Sequence, residues 1–249
     1  MKIRHLYTGL DSDDFLEKSK PGSEFPMTVN DDGIVSDFNF QTDFYSSFIE
    51  RSLRKLKFET ENFNLIMIRG RKNPKADYYI QEHFKSLTIE IPFDFYAYRE
   101  IYSFKNEYPL GDKLLKPIID QDKFSSFLTK FINIGLNKAE EQNAPIPVQE
   151  LRKYINEFSD LEFENKWVYK KKNFRDSKIS MILTAKLSCN SFIMNLEIKA
   201  AKTVIYDGII CKTLPSSFFY KNIIKDITLE GNVVTISSDT DQILLKKEI

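Results

Sequence analysis

The sequence predicts an α+β fold, and three observations predict it. Apolar residues recur at three-to-four spacing over Thr42–Leu56 and again over Phe124–Phe158. From Leu161 onward the period drops to two. Inside the second helical stretch lies Asn143-Ala144-Pro145-Ile146-Pro147, a break that separates it into two stripes. The expected architecture is a mixed N-terminal half with central helices, then an antiparallel sheet of about six strands packed on those helices. The break sets a boundary between residues 1–142 and 143–249, or marks a turn inside one continuous domain 1–249. With 249 residues, 42% hydrophobic and 14% aromatic, the chain has enough apolar surface for a real core.

The first predicted helix starts near Thr42, with Phe44, Tyr45, Phe48, Ile49, Leu53 and Leu56 on one side. Arg51, Arg54 and Lys55 lie on the other, and Thr42 or Asp43 is placed to cap the start. Phe63–Ile68 is apolar on both faces, the pattern of a central strand. Leu87, Ile89, Ile91, Phe93 and Phe95 alternate with Thr88, Glu90, Pro92 and Asp94, a strand that ends at Pro92 or lies at an edge. Phe124, Phe127, Leu128, Phe131 and Ile132 begin a helix reaching about Glu140. Val148, Leu151, Tyr154, Ile155 and Phe158 form the next, with Pro147 as its first residue. Alternating runs at 161–169, 179–187 and 192–200 read as strands with one dry face. Residues 204–212 read as a fourth strand, bent at Gly208. Gly231-Asn232 reads as a hairpin turn that sets Leu229 against Val234 and Ile227 against Ile236. Ile243 and Leu245 offer a last strand.

Composition excludes several function classes. Lys+Arg and Asp+Glu are 36 each, so the chain lacks the basic excess of a general nucleic-acid binder. No stretch is long and apolar enough for a membrane span, and the first residues lack a signal-peptide core. Cys189 and Cys211 each sit in a strand-like run and read as small buried hydrophobes. These features lead to a cytoplasmic expectation. The surplus of Lys over Arg, 28 to 8, suggests AT-rich coding in a bacterium.

Chemical motifs are sparse. His5 and His83 have no ligand partner at metal spacing, no glycine-rich phosphate loop occurs, and no metal or cofactor is expected. Asp11-Ser12-Asp13-Asp14 lacks the glycine and final glutamate of a calcium loop and reads as a helix start. Glu197-Ile198-Lys199 with Asp176 has the residue types of a Mg²⁺-dependent PD-(D/E)xK nuclease, in which acids hold the metal and Lys steadies the attacking water. Such triplets arise by chance roughly four times at this composition, and three occur. The run Lys170-Lys171-Lys172 reads as solvated charge guarding a strand end, with an acidic protein partner as the alternative.

One region departs from the charge balance. Residues 11–61 hold twelve acids against six Lys/Arg, and residues 20–42 carry Pro21-Gly22, Pro26 and Asp32-Gly33 with little periodicity. Asp31, Asp32, Asp37 and Asp43 are the expected partner-binding residues. In general character, with no catalytic motif and at this size, the chain resembles the bacterial immunity proteins that neutralise polymorphic or contact-dependent toxins. That resemblance implies a non-enzymatic inhibitor whose partner is a cognate toxin domain, often a nuclease with a basic groove. A structural or adaptor subunit of a larger assembly is the remaining alternative, beside the nuclease.

Overall fold

The computed structural model describes residues 1–10, 35, 38–101 and 119–249, in two units, Met1–Phe163 and Glu164–Ile249. In the first, β1 (His5–Leu10), β2 (Leu65–Arg71), β3 (Tyr79–Gln81) and β4 (Ser86–Pro92) form one sheet in the order β1-β2-β4-β3. β1, β2 and β4 run parallel, with Leu10 opposite Gly70 and Gly70 opposite Ile91; β3 is antiparallel to β4. The central strand expected at Phe63–Ile68 is β2. Pro92, which has no N–H to donate, ends β4. The alternation expected on β4 does not separate a wet from a dry face, because Ser86, Thr88 and Glu90 are as buried as Leu87, Ile89 and Ile91.

The helices α1 (Asp43–Leu56), α2 (Phe95–Ile101), α3 (Gln121–Glu141) and α4 (Val148–Asp160) belong to the same unit. α1 packs on β1 and α4, and α3 packs on β4, α2 and α4. Gly135 lets α3 approach β2, since a Cβ there would stand 2.8 Å from Ile68 Cγ2. Aromatic rings fill the space between the elements. Phe38 meets Phe93, Tyr98, Phe124 and Phe131 edge-on, and Phe158 stacks on Phe48 at 4.1 Å. Burial pushes the Tyr45 phenol up to about 12 despite its 2.8 Å hydrogen bond with Thr129.

Three local expectations are corrected. Thr42 is already helical, and its hydroxyl donates to the carbonyls of Thr8 and Asn39 instead of capping α1. Pro147 is the residue before α4, not its first. Leu161 and Phe163 belong to the turn after α4, where Glu162 and Phe163 take positive φ and Phe163 packs on Phe158. The 142/143 break falls in the turn between α3 and α4, while the division between units falls after Phe163.

The second unit replaces the expected sheet of about six strands with two sheets. β5 (Asn165–Phe174), β6 (Ile179–Leu187), β7 (Phe192–Ala200) and β8 (Thr203–Thr213) form an antiparallel meander; β9 (Asp226–Glu230), β10 (Val233–Ser237) and β11 (Ile243–Glu248) form another. Between them Pro215 and the short helix α5 (Ser217–Tyr220) interrupt the pairing. The second sheet lies over the dry face of the first. Lys172, on the Met181 side of β5, donates to the Ile227 carbonyl, and Lys247 stands 4.9 Å over the Tyr206 ring. Tyr220 stacks on Phe192 at 4.4 Å. The expected helical cover is thus met by a sheet and α5, while α3 and α4 pack within the first unit. The hairpin register is as the apolar pattern requires, Leu229 opposite Val234 and Ile227 opposite Ile236. β8 carries its irregularities at Ile205 and Ile210, on either side of Gly208.

Candidate functional site

The parallel strands of the first unit end in a row, Leu10, Gly70 and Ile91, and at such a carboxyl edge α/β sheets place their ligands. The acidic segment leaves the sheet here. Its two ends are tied by one side chain: the Asn39 amide oxygen accepts from the Leu10 N–H at 2.7 Å, and the Asn39 amide nitrogen donates to the Leu10 carbonyl at 3.2 Å. Thr42 Oγ1 donates to Thr8 O at 2.8 Å, and Thr8 Oγ1 meets Ser46 Oγ at 3.2 Å. Residues 11–38 therefore start and finish at one point, carrying Asp11, Asp13, Asp14, Glu17, Glu24, Asp31, Asp32 and Asp37 against Lys18 and Lys20. Asp31, Asp32 and Asp37, like the helix start expected at Asp11–Asp14, lie outside the described residues. Asp43 is half-buried in the first turn of α1, where the helix dipole favours an acid.

Beside this edge is a buried charged cluster that sequence reasoning missed. Glu90 is 1% exposed. Its carboxylate accepts from the Lys75 N–H and from the Tyr79 hydroxyl, each at 2.8 Å, with Arg71 Nε at 3.9 Å. Desolvation pushes its pKa up, but the Lys75 amide, the Tyr79 hydroxyl and the charges of Arg71 and Lys75 outweigh that and hold it below its ordinary value. Desolvation also raises the Tyr79 phenol, with Glu90 adding to the rise. Lys138 Nζ, lowered by burial, donates to the Glu90 carbonyl at 2.6 Å, and Tyr78 N–H donates to Gln142 Oε1 at 2.8 Å. These bonds fasten residues 72–78 to β4 and α3, so the cluster positions a loop. Glu90 reads in sequence as one polar residue of an alternating strand; its partners lie fifteen and forty-eight residues away, and no local spacing announces them.

A pocket of about 640 Å³ opens between α2 and α3, with Phe127, Phe131 and Ile134 as its apolar wall and Asp94, Asp122, Lys123 and Lys130 at its rim. Charges of both signs surround it.

The nuclease residues do not converge. Lys199 Nζ pairs with Glu197 at 2.7 Å, and Glu197 stands opposite Ile182 and Asp207. Asp176 lies in the β5–β6 turn, beyond Ile179, and three strand residues, about 10 Å, separate that end from the Glu197 row. Among the described residues no group of three or more His, Cys, Asp or Glu is placed to hold a metal ion. His5 Nδ1 lies 3.2 Å from Glu50, and His83 packs edge-on against Phe84. Cys189 and Cys211 are unbridged, and burial pushes the Cys211 thiol up. No described helix is long and apolar enough to cross a membrane. Compared with protein-family models, with curated proteins and with solved structures, the chain matches none.

Proposed function

We propose that the chain is a non-enzymatic protein-binding inhibitor of the bacterial immunity type, which neutralises a basic toxin domain through its acidic segment. The observation that carries this reading is the Asn39–Leu10 tie. It fixes both ends of a strongly acidic stretch at the carboxyl edge of a parallel sheet. A segment of that length inside a packed unit is usually functional. Clustered acids speed encounter with a basic groove and set orientation, and added salt weakens the effect. Asp31, Asp32, Asp37 and Asp43 are the proposed contact residues, and the proposed setting is the cytoplasm.

The test is co-purification of the full chain from its native host, with co-expression of the neighbouring gene product. A stable complex that relieves toxicity supports the reading. In that complex, Asp31→Lys with Asp32→Lys and Asp37→Lys lowers the association rate and its salt dependence. Absence of a stable partner, or a toxin equally active with and without the chain, overturns it.

A further inference from the structure

The four-stranded sheet of the second unit has a second face. Its dry face is covered by β9–β11 and α5; the register places a different set of residues on the other side. Lys166, Lys186, Ile193 and Lys212 stand in one row across all four strands. Val168 and Ile209 end the next row, and the one after runs Lys171, Ile182, Glu197 and Asp207, with Asp207 accepting from the Asn195 amide. Lys166 stands directly opposite Lys186, a like-charge pair that weakens a sheet. Glu164 compensates Lys186 at 3.1 Å, and Lys199 is taken by Glu197. Lys166, Lys171 and Lys212 are exposed and form no ion pair among the described residues. On the same face Val168 is 50% and Ile209 62% exposed. Solvation of a sheet explains scattered lysines; it does not explain unpaired lysines interleaved with bare aliphatic side chains.

We propose that this face is a second docking surface, and that its partner is an acidic polypeptide segment bearing aliphatic side chains. Against Lys166, Lys171, Lys186, Lys199 and Lys212 this face sets, among the described residues, only Glu164, Glu197 and Asp207, and a net positive face favours an anionic partner. The rings decide which kind. Trp167, Phe174, Phe192 and Tyr206 all lie, by register, on the dry face with Ala185, Ile179, Leu187 and Ile198. A single-stranded nucleic acid binds where exposed rings accept its bases, and this face offers Val168 and Ile209 instead. Carboxylates opposite the three lysines, with small aliphatic groups between them, complement both features. This surface is independent of the acidic segment, and with it the molecule presents opposite charges on two units.

The experiment uses the full chain and three labelled probes: a peptide alternating Glu and Val, a peptide alternating Glu and Ser, and a single-stranded oligonucleotide of the same length. Fluorescence anisotropy gives affinity and amide chemical shifts give location. The Glu-Val peptide is expected to bind most tightly and to shift Val168, Lys171, Ile209 and Lys212. Charge reversal at Lys166, Lys171 and Lys212 weakens it about tenfold or more. Val168→Ser with Ile209→Ser removes the preference for Val over Ser while leaving the charge intact, so the two variants test the two features separately. No saturable binding of the Glu-Val peptide, or shifts confined to other residues, overturns the proposal. Tighter binding of the oligonucleotide at the same amides overturns it in favour of a nucleic-acid surface.

Discussion

Asn39 does with one side chain what a strand would do with a residue, offering a donor and an acceptor to the backbone of Leu10. Asn39→Ala leaves both backbone groups short of a partner in a half-buried place. The expected cost is about 1–2 kcal/mol, read as a lower urea midpoint together with lost exchange protection of the Leu10 amide. Glu90 makes a stronger demand. Glu90→Gln keeps the size but gives the charged neighbours a weaker acceptor, and about 1–3 kcal/mol is expected to be lost at neutral pH. Because the folded pKa of Glu90 lies below its ordinary value, its contribution is complete above the unfolded carboxylate pKa. It is lost as pH falls through the folded one. Stability of the native chain therefore declines through the acid range below about pH 4.5, and the slope of unfolding free energy against pH is shallower in Glu90→Gln.

Among the elements, contact between α3 and β2 depends on the missing side chain of Gly135. Gly135→Ala raises helix propensity by about 1 kcal/mol yet forces a methyl to 2.8 Å from Ile68, a fully buried residue. Overpacking of this kind costs about 1–3 kcal/mol, so the melting temperature is expected to fall; an unchanged or raised value refutes the close approach. The elements that sequence reasoning located well are those whose partners are near in the chain. The β9–β10 register followed from Gly231-Asn232 and four apolar residues, and α3 from a stripe that needs no knowledge of its neighbours. β1 escaped notice because His5–Leu10 has no alternation of its own and pairs with residues sixty positions on. β4 was found, and with it the end at Pro92, but not the burial of its polar face: only Gln81, Tyr79 and Lys75 show that Thr88 and Glu90 are covered and satisfied. Of the acidic candidates, Asp43 alone falls among the described residues, in a helix whose apolar stripe was legible; the Asn39 tie, which joins residues twenty-nine apart, was not.

At the scale of the whole molecule, each unit has its own buried core, from Leu6, Ile66 and Phe124 in one to Met181, Leu196 and Ile236 in the other. Separate cores make separate folding units. Residues 164–249 expressed alone are expected to keep a strand-rich circular dichroism spectrum and to melt in one cooperative step. A fragment that stays unfolded refutes the independence of that core. The formal charge of zero is likewise a sum over unlike parts, with net acid in residues 11–38 and uncompensated lysines on one sheet of the second unit.

The parallel pairing of β1 with β2 also sets a timetable. His5 cannot meet Leu65 until a chain of some sixty residues has been drawn into a ring, whereas every pairing in β5–β8 joins neighbours in sequence. Closing a long ring before any contact rewards it makes for slow assembly, and nearest-neighbour meanders assemble faster. Refolding after dilution from denaturant is therefore expected in two phases, the faster reported by Trp167 in the second unit. On the ribosome the order of synthesis opposes the order of speed. β1 waits, exposed, until β2 is made some sixty residues later, whereas each strand of β5–β8 is followed directly by its partner.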